Sequence, residues 1–190
     1  EGDYYRVEEA VLEPKPIRRP RPTLYAGGES PKGKETIAAL CDGWLTHGDP
    51  PGIIGPKVRS MQQRRAELGL APLTTGVAGY VVVRDTEEEA HAEVARITDV
   101  RASSAAFENY KDWVGNTELE RRVSLEDYSV SNRGLRAGLV GTPDQVAARI
   151  REFQEAGVDL LLLQFSPQME EMERFAELVI PKVEASAMAL

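Results

Sequence analysis

Pro22-Thr23-Leu24-Tyr25-Ala26-Gly27-Gly28-Glu29-Ser30-Pro31 opens with a short apolar run, Thr23 to Ala26, that ends on two glycines. The run has the length and character of a buried strand. Ser30 is a strong N-cap, and Pro31 suits the first helical position, where its missing N–H would have no partner in any case. An alanine-containing helical stretch follows and runs to Cys41. The junction points free backbone N–H groups, a hydroxyl and the positive end of a helix at one spot, and Lys32 and Lys34 add charge beside it. Two readings fit it: an ordinary capped strand-to-helix turn, or a metal-free cradle for a phosphate.

Outward from this junction the same unit repeats. Strand 43–47 (Gly-Trp-Leu-Thr-His) leads through Gly48-Asp49-Pro50-Pro51-Gly52 to a helix over 53–68. Strand 76–83 leads to a helix that Thr86 and Glu89 open as a capping box. Thr142-Pro143-Asp144-Gln145 starts another helix, with Val146, Ile150 and Phe153 at helical spacing and Gly157 as its stop. Strand 158–165 then leads past Ser166-Pro167, with Ser166 as the expected cap, to a closing helix. Near-continuous apolar strands alternating with helices predict a parallel sheet covered by helices. Four such units make half of an eight-stranded barrel or a small open sheet. Residues 98–141 break the rhythm as an insertion, expected to be helical and without a strand. Ahead of the first unit, Asp3 to Leu12 is expected to be a hairpin or loop. Prolines 14, 16, 20 and 22 make residues 13–22 an extended connector, with Arg18, Arg19 and Arg21 in solvent.

The 190 residues suffice for one domain with a sizeable core, and 42% apolar with 28% charged residues is a globular composition. A net charge of -8 argues against nucleic acid as partner. The longest uniform apolar run, Leu160 to Leu163, is far too short to span a bilayer. One cysteine, Cys41, excludes an internal disulfide and fits a reducing, cytoplasmic setting. Two separated histidines and that cysteine predict no metal site. Glu1 opens the chain in what reads as mid-domain sequence, so an upstream portion is expected.

Several segments resemble one family when taken together: Pro14-Lys15-Pro16, the Gly27-Gly28-Glu29-Ser30 turn, Trp44-Leu45-Thr46-His47-Gly48-Asp49-Pro50-Pro51, Val83-Arg84-Asp85-Thr86-Glu87-Glu88-Glu89-Ala90 and Leu139-Val140-Gly141-Thr142-Pro143. The ending Gly157-Val158-Asp159, with Glu170, Glu171, Phe175 and Ile180-Pro181, agrees. The chain resembles the C-terminal half of a bacterial luciferase-like, reduced-flavin-dependent monooxygenase. It is most similar to the dimethyl-sulfone and alkanesulfonate branch. The resemblance covers essentially the whole chain, 1–190, as the second half of a (β/α)8 TIM barrel (strands five to eight) with the insertion at 98–141.

What the resemblance implies is specific. Ser30, with Gly27 and Gly28 beside it, contacts the phosphate of FMN. Reduced FMN supplies the chemistry with O2, and the protein orients and excludes water. A separate flavin reductase delivers the cofactor, and the substrate is a small organosulfur compound. The sulfonate branch carries an arginine where this chain has Ala78, so a neutral sulfone is the nearer expectation. The deazaflavin F420 is the alternative cofactor, and a non-catalytic half-barrel the contrasting class. Most flavin-ring contacts would come from the first four strands. Because a half-barrel exposes two strand edges, pairing with that missing half or homo-oligomerisation is expected.

His47, at the top end of its strand, is the candidate acid, base or hydrogen-bond donor, weighed against a merely polar rim residue. Alternation puts Trp44 and Thr46 on one side of the strand and Leu45 and His47 on the other. At the end of the insertion Asn132, Arg133 and Arg136 are candidates for a substrate-side clamp, weighed against solvated loop arginines. His91 and the glutamates 87–89, 170, 171 and 173 read as solvated or dipole-matched helix residues.

Overall fold

The computed structural model describes residues 2–3, 5–11, 13–99, 104–116 and 134–187. In chain order the elements are β1 (Tyr25–Gly27), α1 (Pro31–Leu40), β2 (Gly43–Thr46), α2 (Pro51–Glu67), β3 (Thr74–Tyr80), β4 (Val82–Val83), α3 (Glu87–Ile97) and α4 (Ser104–Asn116). A 3-10 turn (Leu135–Ala137) precedes β5 (Val140–Gly141), α5 (Pro143–Glu155), β6 (Leu160–Gln164), α6 (Gln168–Leu178) and α7 (Ile180–Ala187). Strands β1, β2, β3 and β6 form one parallel sheet in that order. Every crossover carries helix, as parallel neighbours require. The register pairs Gly27 with Leu45, Thr46 with Val77 and Tyr80 with Gln164, so the carboxyl ends of the strands share one rim.

The two faces of this sheet differ. Trp44, Val77, Leu161 and Leu163 pack toward the helices with Ile37, Ile54, Val58, Met61, Ile150, Phe153 and Phe175. Trp44 is fully buried, which for so large a side chain is worth about 3 kcal/mol. On the other face Tyr25, Leu160 and Leu162 remain 46%, 38% and 42% exposed. Tyr25 lies over Gly43 so closely that a Cβ there would meet its ring at 2.3 Å, and Leu45 covers Gly76 in the same way at 2.5 Å. Parallel sheets are ordinarily covered on both sides, whereas among the described residues this one leaves an apolar face partly exposed.

Local rules explain the boundaries. Both capping boxes form: Thr86 with Glu89, and Thr142 with Gln145. Gly157 takes φ 87° after α5, a left-handed turn that favours glycine. Four expectations need correction. Residues 76–83 are not one strand: Val81 N still donates to Gln164 O at 3.0 Å, but Val82 N donates to Leu139 O, also at 3.0 Å. The chain thus leaves β6 and pairs with β5, and residues 98–141 end in a short strand that sequence periodicity could not reveal. Ser166 does not cap α6; Pro167 occupies the N-cap without a side-chain bond. Cys41 sits at the C-cap of α1 and packs against the core from there.

Two charged residues also depart from expectation. Glu171 is buried and receives Arg84 Nη1 at 2.8 Å, so it ties α6 to the end of β4 rather than facing solvent. Arg21 is not free in the connector: its guanidinium donates to Asp42, whose Oδ2 also accepts Leu24 N at 2.8 Å. Residues 5–11 form neither helix nor strand. Among the described residues no helix is long and apolar enough to cross a membrane.

Candidate functional site at the strand rim

The β1–α1 turn sits at the carboxyl rim of the sheet. Ser30 is the N-cap of α1, with φ −63° and ψ 151°, and its Oγ accepts Gly33 N at 3.1 Å. Accepting that bond leaves the hydroxyl proton free to donate outward, and Ser30 is exposed. No acidic residue lies in the first turn of α1, and Lys32 is exposed nearby. Packing demands neither glycine of the turn, although Gly28 takes φ 159°, which favours glycine on backbone grounds. A Cβ on Gly27 would find Leu45 O at 3.5 Å, and one on Gly28 would find Ile37 Cδ1 at 3.5 Å, both ordinary contacts. From beneath, Trp44 Nε1 donates to Gly28 O at 2.9 Å, so the buried indole holds the turn on β2.

Glu29 lies between those glycines and Ser30, and its charge is cancelled. Thr46 Oγ1 donates to Glu29 Oε1, and Lys57 Nζ lies 3.2 Å from both carboxylate oxygens. The same ammonium donates to Asp49 Oδ2 at 3.1 Å, and Arg136 Nη2 reaches Asp49 Oδ1 at 3.2 Å. Two carboxylates therefore face two cations, each side chain about one-fifth exposed. Burial pushes the Glu29 carboxyl up, but the Thr46 hydroxyl and the Lys57 charge outweigh it and hold the group below its ordinary value. Burial likewise draws Lys57 down, while Asp49 and Glu29 outweigh it and hold the ammonium above its ordinary value. Both groups are thus charged at neutral pH.

His47 follows β2 at the same rim and is exposed, while Trp44 and Thr46 on the opposite side of the strand are buried, as alternation predicts. Next to it, Gly48 is pressed against β3: a Cβ there would meet Ala78 O at 2.4 Å and Gly134 O at 3.0 Å. Gly134 itself takes φ 71° against the backbone of Gly79 and Tyr80. The 3-10 turn carrying Arg136 is thereby fixed beside the β2–α2 turn. Arg136 is paired with Asp49, not a solvated loop arginine. Asn132 and Arg133 lie outside the described residues. His91 is exposed and 3.6 Å from Glu87, a helix-surface pair as expected. Among the described residues no group of three His, Cys, Asp or Glu side chains could hold a metal ion.

The sequence pointed to Gly27, Gly28, Ser30, His47 and Arg136, and the fold brings the β1–α1, β2–α2 and 3-10 turns that carry them to one rim. Glu29, Asp49 and Lys57 were missed as functional candidates. The Glu29–Lys57 pair spans 28 positions, and no periodic signal announces it.

Residues 1–160 match the family described as Luciferase-like monooxygenase. FMNH(2)-dependent dimethylsulfone monooxygenases from Pseudomonas putida and Pseudomonas fluorescens (strain Pf0-1) are each 34% identical to it, over 96% of this chain and 52% and 51% of their own. The chain thus spans about half the length of the relatives it matches. Among solved structures, DmoA from Hyphomicrobium sulfonivorans superposes with a TM-score of 0.72 at 18% identity, over 98% of this chain and 46% of that one.

Proposed function

This chain belongs to the luciferase-like monooxygenase family, and on that premise we propose that residues 1–190 act as one half of a (β/α)8 flavin monooxygenase barrel, with residues 98–141 as its insertion. The β1–α1 turn is its FMN-phosphate site. The observation that carries this is the composition of the turn. Gly27, which neither packing nor backbone conformation requires, an exposed serine with a free hydroxyl proton and a helix start without acids suit a dianion. The adjacent carboxylate, Glu29, is no obstacle because Lys57 neutralises it.

FMN, when bound and reduced, supplies the oxygen-activating chemistry; the chain supplies position. Ser30 donates to the phosphate, and Gly27 and Gly28 let it approach the backbone. His47 offers a ring N–H or acceptor to the substrate at the rim, and the apolar face of Leu45, Ala78, Leu160 and Leu162 keeps water from the reacting groups. That face bears no charged side chain on its strands, and the cations Lys57 and Arg136 are both committed to carboxylates. A neutral sulfone therefore fits better than a sulfonate, and the relatives named for dimethylsulfone lean the same way. Use of FMN rather than F420 follows the same relatives. A flavin reductase and O2 are the implied partners, with cytoplasmic placement and pairing with a complementary half-barrel or a second copy. Under this reading Ser30→Ala weakens FMN binding by about 1 kcal/mol or more, the worth of a charge-assisted hydrogen bond. Titration of both forms with FMN is the check, and equal dissociation constants would remove the site.

A further inference from the structure

The phosphate turn contains an acidic residue, and an uncompensated carboxylate beside Ser30 would repel the anion the turn is shaped to hold. Glu29 has a structural reason to be there: its Oε1 accepts the Thr46 hydroxyl and locks the β1–α1 turn to β2. The cost of that lock is a negative charge one residue from the cap. Lys57, on the second turn of α2, meets it with a nearly symmetric contact of 3.2 Å to each oxygen. Its remaining reach goes to Asp49 at 3.1 Å, which Arg136 holds from the other side. Without the ammonium, Glu29 and Asp49, now both within 3.2 Å of one nitrogen, would face each other as like charges in a mostly buried setting.

We infer that Lys57 is a positioning residue of the flavin-phosphate site. It cancels the Glu29 charge and holds the β1–α1 and β2–α2 turns in one arrangement, without itself touching the cofactor. The inference rests on the phosphate reading proposed above. A residue that only contributed to stability would affect any ligand of the rim alike, whereas charge cancellation at the phosphate turn distinguishes ligands that carry a phosphate from those that do not.

The experiment is a titration of the folded protein with FMN and, separately, with riboflavin, which has the same ring system and no phosphate. Lys57→Met is expected to raise the FMN dissociation constant about tenfold and to leave that of riboflavin within about twofold. Lys57→Arg should restore most of the loss, and so should the double variant Glu29→Gln/Lys57→Met, which deletes the charge that needs cancelling. An unchanged FMN-to-riboflavin preference in Lys57→Met, or no recovery in the double variant, overturns the inference. Should Lys57→Met not fold, Glu29→Gln alone decides: FMN affinity within about twofold of the parent supports charge cancellation, and a tenfold loss overturns it. A parent protein that binds FMN no more tightly than riboflavin would instead defeat the phosphate reading itself, and this inference with it.

Discussion

Glu29 bears on the stability of the rim and on the proposed phosphate site alike. Its carboxyl is held below its ordinary value in the folded chain, against the upward push of burial. A depressed carboxylate contributes stability that is fully present above its unfolded value of about 4.3, and that stability is lost as pH falls through the lower folded value. Asp42 behaves alike: the Arg21 guanidinium and Leu24 N–H hold it at about 2, so its contribution fades between about 4 and that value. The melting temperature of Glu29→Gln should therefore lie below that of the parent at pH 7, and the gap should close as the pH is lowered below about 4. Thermal melts across that range test it; a gap that stays constant would mean the Glu29 charge contributes nothing. Ser30 was legible in sequence because a cap announces itself by residue type and by the proline that follows. Glu29 was not, because a lone glutamate looks the same whether it is solvated or neutralised by a lysine on another element. Glu171 failed for the same reason: it reads as a dipole-matched glutamate in a first helical turn, and only the fold reveals Arg84 against it.

The elements were largely legible, since strand–helix alternation, capping boxes at i and i+3 and apolar spacing in α5 are local signals. The β4–β5 pairing was not: each strand is two residues long, below any period, and a single switch of acceptor from Gln164 O to Leu139 O creates it. The β2–α2 turn is the element on which the rim depends most. Gly48 fits under Gly134 and against Ala78 O with no room for a methyl group. Since two backbones rather than a flexible side chain would have to yield, Gly48→Ala should destabilise the fold by about 1–3 kcal/mol. Chemical denaturation compares the variant with the parent, and an unchanged midpoint would show that the turn is not packed as described.

At the scale of the molecule, β1 and β6 are the outer strands of the four-stranded sheet, and among the described residues neither has a second strand beside it. One face of that sheet leaves Tyr25, Leu160 and Leu162 substantially exposed. Open strand edges and a partly exposed apolar face are what a parallel sheet ordinarily hides, and closure by further strands or pairing with a second copy would cover both. Sedimentation velocity of the 20.9 kDa chain in the presence of FMN, followed at the flavin absorbance, tests shape and function together. The flavin is expected to travel with a species larger than one chain. A single sharp monomer that melts cooperatively and leaves the flavin behind would rule out both the half-barrel and its FMN site.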